Sequence, residues 1–308
     1  TIDYPTGLWL SGASLSRRSQ DERLRLSAGL LSMDQDFLVA PAYNAYLFAS
    51  INNTLNLNIL GLPITPFVAP GGSVRWQNGG LGEWRLGAYW LDPEIRLASL
   101  FGVDTGQPAV KGNLQILQWS TAFTRTRTRF GTPIPGPGGG TIERQLPPPL
   151  LQLGALRSQV QVGRGPGILF PRALPAPGST ALNRVIHGSV TLPASLSLGL
   201  DNRIWAAAQL GVDPSVNPTP LFLAAGWLCQ GPSPQRPLDV LAIGVARSGF
   251  STVLLPDLSW QAVVEVNYNV HLNRNLSLQP LVQWILQPAG NGRQPAIVTT
   301  GLQLSLSF

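Results

Sequence analysis

Few residues in this sequence have the types and spacing that catalysis requires. One of its two histidines, His187, lies two positions before Ser189, which would put both side chains on one face of an extended strand. A histidine beside a serine is the pairing that a hydrolase uses to activate its nucleophile. Because no acidic residue lies nearby to orient His187, we expect a structural role for the pair. A hydrolase is therefore the less favoured alternative.

Carboxylate pairs and cysteine offer no stronger site. Asp34 with Asp36, and Asp92 with Glu94, have the i, i+2 spacing that could bind Ca²⁺ or supply an acid and a base. Both pairs stand at predicted strand ends beside Pro or Phe, so we interpret them as solvated loop acids. The single cysteine, Cys229, excludes a disulfide framework and any CxxC metal site. The sequence predicts no metal and no cofactor.

The stretch TRTRTRF (124–130) places three guanidinium groups on one side of an extended chain. Arg125, Arg127 and Arg129 would each cost about 2–4 kcal/mol near the middle of a bilayer, so they must face water. The segment is either a basic ladder along an aqueous pore or a hairpin outside the membrane. Four further arginines lie on the polar side of their own predicted strands and favour a basic interior: Arg23, Arg25, Arg75 and Arg85.

The amino-acid composition restricts the kind of fold that could position these residues. The 308 residues are 44% hydrophobic and only 12% charged, so they poorly fit a water-facing surface. The net charge of +6 comes almost entirely from arginine, since Lys111 is the only lysine. No run approaches the ~18 consecutive apolar residues of a membrane helix. Gly at 33 and Pro at 28 indicate many turns.

A period of two dominates the C-terminal third. Apolar and polar residues alternate over 260–270, 276–286 and 298–308, and weaker alternation appears at 24–30, 84–90 and 241–245. Strands of ~11 residues match the length that a tilted strand needs to cross a hydrocarbon core. The pattern predicts an all-β, up-and-down antiparallel transmembrane β-barrel of about 16 strands, within a range of roughly 12–18. We expect residues 1–308 to form this single domain.

A barrel in lipid explains the shortage of charge better than a soluble β-sandwich. A soluble sandwich points its apolar face inward and shows charge outside. If the pattern is inverted, the apolar face meets lipid, Trp and Tyr near strand ends form girdles, and closure pairs every backbone group. A soluble sugar-binding sandwich remains an alternative that detergent-independent solubility would reveal.

Two stretches of the C-terminal third have distinctive motifs, G-P-x-P-x-R-P-x-D at 231–239 and L-S-L-Q-P-x-x-Q-W-I-x-x-P-x-G at 276–290. They resemble the C-terminal part of the carbohydrate-selective outer-membrane porins, the OprB family. Near the start, 23–37 and 69–77 resemble its R-x-G-K-x-D and A-P-G-x-x-x-R-W motifs, with Leu30 where the family has Lys. Family members carry further residues before the segment corresponding to 22–31. This chain therefore either lacks N-terminal strands of the family or forms a shorter barrel.

The resemblance implies a passive porin for small hydrophilic solutes, with sugars as the expected permeants. An anion-preferring general porin is the first alternative, and a membrane-embedded barrel hydrolase is the second. The expected surroundings are outer-membrane lipid of a Gram-negative bacterium, without nucleic acid, and a homotrimer is one assembly state left open. The predicted pore-lining residues combine the arginines with polar residues of the last strands: Arg23, Arg25, Arg75, Arg85, Arg125, Arg127, Arg129, Glu265, Asn267, Gln279 and Gln283.

The final residues, GLQLSLSF, alternate to an aromatic end. Leu302, Leu304, Leu306 and Phe308 share one side of the predicted strand. This resembles the signal that the barrel-assembly machinery reads, which would make that machinery a partner and leave the C-terminus periplasmic. An ordinary edge strand explains the alternation but not the terminal Phe.

Overall fold

A computed structural model describes residues 12–38, 40–48, 51, 63, 68–91, 110–123, 132–162 and 178–306. These ranges contain β-strands and short 3-10 helices at Met33–Gln35, Pro41–Ala45, Pro137–Gly139 and Pro288–Gly290. Within them, no helix has the length and apolar character needed to span a membrane. Arg125, Arg127, Arg129 and Phe308 lie outside the described residues, as do Asp92 and Glu94.

Thirteen strands form one antiparallel sheet in which each described strand pairs with the next along the chain. The sheet strands are β1 (Ala13–Arg18), β2 (Leu24–Leu31), β3 (Ala69–Asn78), β4 (Gly82–Leu91), β5 (Val110–Ala122), β8 (Leu150–Val162), β9 (Thr180–Pro193), β10 (Asp201–Gly211), β11 (Leu221–Gln230), β12 (Val240–Gly249), β13 (Trp260–Asn273), β14 (Leu276–Leu286) and β15 (Ile297–Leu306). A small hairpin of β6 (Pro133–Pro135) and β7 (Thr141–Glu143) forms a separate pair between β5 and β8. The terminal strands β1 and β15 are not paired with each other in the described sheet.

The predicted alternation appears as two chemically different faces. On β4 the exposed side carries Trp84, Leu86 and Trp90, whereas Glu83 and Tyr89 are buried on the other side. We call these sides the outer face and the inner face. Large apolar side chains are exposed on the outer face, which inverts the arrangement of a soluble protein.

A row of indoles marks one end of the outer face. Trp76, Trp84 and Trp119 are register partners on β3, β4 and β5. The Trp84 and Trp119 rings lie 6.4 Å apart between centroids. Aligned tryptophans near strand ends are typical of the aromatic girdle at a membrane interface.

Part of the connection between β2 and β3 folds against the inner face. We call this part, residues 32–38, 40–48 and 51, the inner segment. Its side chains join two buried apolar clusters, one around Met33 and Phe37 and the other around Tyr43, Tyr46 and Ile51. The hydrophobic core of the molecule therefore lies between the sheet and a segment of the same chain.

A second connection reaches the same interior. Leu146, between β7 and β8, is 1% exposed and belongs to the cluster that contains Tyr46. Nearby, Arg203 on β10 donates from Nε to the Pro147 carbonyl at 3.0 Å and pairs with Asp201 at 2.5 Å. Together with the inner segment, this connection packs against the inner face of β10–β12.

Candidate functional site

Four arginines lie in one row across the first four strands. Arg18 pairs with Arg25, Arg25 with Arg75, and Arg75 with Arg85 in the strand register. Directly opposed residues share a face, and neighbouring strands lie ~4.8 Å apart. This arginine row therefore concentrates positive charge on the inner face, where Arg85 donates from Nη1 to the carbonyl oxygen of Asp36 in the inner segment.

One carboxylate serves two members of the row. Glu83 accepts from Arg75 Nε and from Arg85 Nε, each at 2.5 Å, and its side chain is 11% exposed. Arg18 and Arg25 form no ion pair with the described residues, and Arg25 Nε is buried without a hydrogen-bond partner among them. The row therefore keeps guanidinium donors that can bind an anion or the hydroxyl groups of a sugar.

Polar residues continue the row beyond the arginines. Gln118 pairs with Arg85, and His187 pairs with Gln209 two strands further on. Between them, Gly154 makes room for the imidazole, since a Cβ there would lie 2.3 Å from His187 Nε2. Gln118 Nε2 and His187 Nε2 have no described partner and border a cavity of about 10 Å³.

The geometry does not join His187 and Ser189 as a catalytic pair. Ser189 Oγ donates to Gln152 Oε1 at 3.1 Å, and no hydrogen bond links it to His187 among the described residues. The i, i+2 spacing brought the two residues to one face without bringing their reactive atoms together.

A second row, across β10–β14, forms a socket for one side chain of the inner segment. Trp205 pairs with Gly226, Gly226 with Gly244, Gly244 with Glu265, and Glu265 with Gln283. A Cβ at Gly226 or Gly244 would lie 2.3 or 2.5 Å from atoms of the Tyr46 side chain. We call this row the Tyr46 socket; its two glycines leave the space that the Tyr46 side chain fills.

The walls of the socket fix Tyr46 by its hydroxyl group. Trp205 Nε1 donates to the Tyr46 oxygen at 3.0 Å, and the Tyr46 hydroxyl donates to the Ile243 carbonyl at 2.9 Å. The Tyr46 and Trp205 rings also meet edge-on, with 5.5 Å between centroids. Burial is the main cause that raises the pKa of Tyr46, so the phenol stays protonated and able to donate.

Glu265 binds the backbone that follows Tyr46. Its two carboxylate oxygens accept from the Leu47 amide at 2.8 Å and from the Phe48 amide at 2.7 Å, and the residue is fully buried. Asn267 and Gln279 donate to the Ala45 carbonyl at 2.9 and 3.1 Å, and Gln283 donates to Glu265 at 3.1 Å. We call this set the Glu265 clamp.

The predicted site residues thus divide into separate groups. Arg25, Arg75 and Arg85 lie together in the arginine row, whereas Arg23 lies in the turn before β2 and is 3.7 Å from Asp21. Glu265, Asn267, Gln279 and Gln283 lie together in the clamp. Leu302, Leu304 and Leu306 are exposed on β15. Asp34 and Asp36, expected to be solvated, are half-buried in the inner segment, where Asp36 accepts from Ser73 Oγ at 2.8 Å.

Sequence reasoning missed Arg18, Glu83, Trp205 and the inner segment itself. Arg18 is adjacent to Arg17 in an Arg-Arg pair, so only the register shows which of the two faces inward. The glycines of the socket, Gly226 and Gly244, interrupt apolar alternation and are a usable signal of a close approach.

One family model matches the C-terminal part of the chain. Residues 187–308 match the model of the carbohydrate-selective porin, OprB family. No match is found among curated proteins. The high-pH structure of Pseudomonas putida OprB has a TM-score of 0.67 at 15% identity, covering 96% of this chain and 72% of that chain.

Two further solved structures have weaker similarity. The low-pH structure of Pseudomonas putida OprB has a TM-score of 0.48 at 13% identity, with 94% of this chain and 64% of that chain covered. Pseudomonas aeruginosa OccK11 (OpdR) has a TM-score of 0.41 at 12% identity, with 92% and 77% covered. The predicted family resemblance is confirmed over 187–308, and the all-β, up-and-down architecture is confirmed by the fold.

Proposed function

We propose that this chain, whose residues 187–308 match the carbohydrate-selective porins, forms an outer-membrane channel for passive diffusion of sugars and other small hydrophilic solutes. The observation that carries the proposal is the arginine row on the inner face of a porin-type sheet whose outer face is apolar. Family and fold favour a channel over an enzyme. The whole described chain would act as one domain.

Solutes would pass along the wall formed by β1–β5. Two connections pack against the inner face of β10–β12, and Met33, Phe37 and Leu38 pack against β3–β5. Arg18 and Arg25 nevertheless form no ion pair with the described residues, so the arginine row keeps available donors. Guanidinium groups donate hydrogen bonds to sugar hydroxyls, and their field raises the local concentration of anions. Arg125, Arg127 and Arg129 remain predicted contributors to the same path.

The Glu265 clamp would set the width of this path. It holds residues 45–48 by both carboxylate oxygens and by two side-chain amides, so the inner segment has a fixed position. Because Arg85 and Ser73 both bind Asp36, the same segment also faces the arginine row. Solute would therefore pass beside a narrowing element that contacts Arg85 in the row and is anchored by the opposite wall.

The same proposal includes the position of the chain in the membrane. Outer-membrane lipid would cover the outer face, with the C-terminus periplasmic. Leu302, Leu304, Leu306 and Phe308 would present the strand that the barrel-assembly machinery reads. A homotrimer stays one assembly state to be tested.

An anion-preferring general porin is the second candidate, because the row has four arginines and Glu83 is the acid that pairs with two of them. Planar-bilayer recordings of the Arg18→Gln, Arg25→Gln double variant separate the two functions. Neither residue pairs with Glu83, so the Glu83 ion pairs remain. For either function, the reversal potential should shift in the direction of greater cation selectivity. Block of the ion current by sugar should weaken only if the protein is a sugar channel.

Arg17→Gln is the matched control, because Arg17 pairs with Leu26 on the outer face one residue from Arg18. It should leave both readouts unchanged. The shift should be large at ~0.1 M salt, where the Debye length is ~10 Å, and small at ~1 M, where it is ~3 Å. No conductance at all from wild-type protein would overturn the channel.

A further inference from the structure

Charged residues on the outer face of the sheet carry a single sign. The outward-facing charged residues of the described strands are all basic: Arg17, Lys111, Arg157, Arg184 and Arg247. The acids of the same sheet, Glu83, Asp201 and Glu265, lie on the inner face. A charge in contact with lipid is costly, so basic residues of a single sign on this face favour anionic groups in the surrounding lipid.

Two of these arginines oppose each other directly. Arg157 on β8 and Arg184 on β9 are register partners, and both are exposed. Like charges in this position repel, and the described residues form no ion pair with either guanidinium. Asp213, after the end of β10, interacts electrostatically with Arg184 but forms no ion pair with it. Arg157 donates a hydrogen bond from Nη2 to Gln159 Oε1 at 3.2 Å. An anionic group bridging the two would relieve the repulsion.

Apolar rows adjoin this pair on the same face. One register step toward the tryptophan row lie Leu117, Ala155 and Ile186, and the step after that contains Trp119, Leu153 and Gly188. The boundary between lipid chains and headgroups is where such a change from apolar to basic residues is expected.

An apolar groove of about 510 Å³ extends from these rows across the outer face. Small residues line it in two register rows, Gly188 with Ala208 and Ala206 with Ala225. Arg247 borders the groove, with its guanidinium 5.2 Å from the Trp260 ring centroid. The groove on the outer face is thus apolar and has cationic groups beside it.

We propose that the outer wall formed by β8–β12 binds a phosphate-bearing anionic lipid. The Arg157–Arg184 pair contacts the phosphate, and an acyl chain lies in the groove over Gly188, Ala206 and Ala208. Charge complementarity selects the occupant, because a second copy of this chain would bring the same basic outer face and add repulsion.

Native mass spectrometry of the detergent-purified full chain tests the proposal. Delipidated protein is titrated with phosphatidylglycerol, and separately with phosphatidylcholine of the same acyl chains. Wild-type protein should retain phosphatidylglycerol preferentially. Arg157→Gln with Arg184→Gln should weaken its binding by roughly fivefold for each arginine removed, the effect of a basic residue at an anionic membrane surface.

Controls separate headgroup, chain and fold. Arg17→Gln, on the outer face of β1 and away from the groove, should bind as wild type, and heat-modifiable electrophoresis should show that all variants fold. Ala208→Leu fills the groove and should weaken binding of long-chain lipid while sparing a short-chain analogue. Three results would each overturn the proposal. They are equal retention of the two lipids, wild-type phosphatidylglycerol binding by the double variant, and displacement of bound lipid by equimolar inorganic phosphate.

Discussion

The two walls of the inner face differ in how completely their polar groups are paired. At the Glu265 clamp, one carboxylate accepts from two backbone amides and from the side chains of Asn267 and Gln283. At the arginine row, Glu83 is shared by two guanidinium groups, and Arg25 Nε has no described partner. The strands have the same alternation in both walls, so the difference lies in what each side chain meets across the interior.

Pairing distinguishes a structural polar group from one that faces solute. A buried group whose hydrogen bonds are complete gains nothing from a ligand, and losing its partner costs free energy. A group with spare donors can bind and release solute. The four residues of the Glu265 clamp therefore support the inner segment, whereas we propose that the arginine row contacts the solute.

The largest expected effect comes from removing the clamp. Glu265→Ala leaves the Leu47 and Phe48 amides without their acceptors, and two hydrogen bonds to a charged group are worth about 3 kcal/mol or more. The inner segment should leave the wall, and single-channel conductance should rise.

Asn269→Ala is the control for this change, because Asn269 lies on the same strand and face but its Oδ1 has no described partner. Its conductance should match that of wild type. If Glu265→Ala also conducts as wild type while folding normally, the inner segment does not set the pore width.

The next effect comes from filling the Tyr46 socket. Gly244→Ala puts a Cβ 2.5 Å from the Tyr46 ring, and overpacking of this kind costs about 1–3 kcal/mol. Conductance should rise in the same direction as for the clamp, by a smaller amount. Gly249→Ala on the same strand meets its nearest atom at 3.5 Å, an ordinary contact, and should be silent in the same recordings.

The faces of the strands could be predicted from the sequence, but their neighbours could not. Alternation around Glu265 and Asn267 is a local property, so their common face follows from a period of two. Their partners, Ala45 and Leu47, lie more than two hundred residues away in the chain. No local pattern specifies a contact between residues so far apart in the chain.

The arginine row could not be predicted from the sequence for a similar reason, because it depends on the register between strands. Arg25 and Arg75 are paired across the whole β2–β3 connection, so single-strand patterns predicted a shared face without predicting one row. Arg23 illustrates the boundary error, since the alternation extends through it while the strand begins at Leu24. The prediction for Arg125, Arg127 and Arg129 stays open.

The third expected effect is a change in ion selectivity. It should be smaller than the two conductance effects because the inner segment stays in place. Glu83→Gln removes the acid that pairs with Arg75 and Arg85, so the row gains net positive charge. The reversal potential at low salt should move toward anions, opposite to the Arg18, Arg25 double variant. A shift toward cations would show that the row does not face the ion path.

The smallest effect should come from the hydroxyl group of Tyr46. Tyr46→Phe keeps the ring in the socket, so the steric anchor and the Glu265 clamp remain, but the buried Trp205 indole loses its acceptor. One unsatisfied donor costs about 1–3 kcal/mol, which should lower the temperature at which the folded barrel is lost on heating and leave conductance near wild type. Trp205→Phe removes the donor instead, and the double variant should destabilise by less than the sum of the two changes because the same hydrogen bond is removed in both. If Tyr46→Phe raises conductance as much as Glu265→Ala, the hydroxyl group rather than the carboxylate holds the inner segment, and the contrast between the two walls would rest on Tyr46 alone.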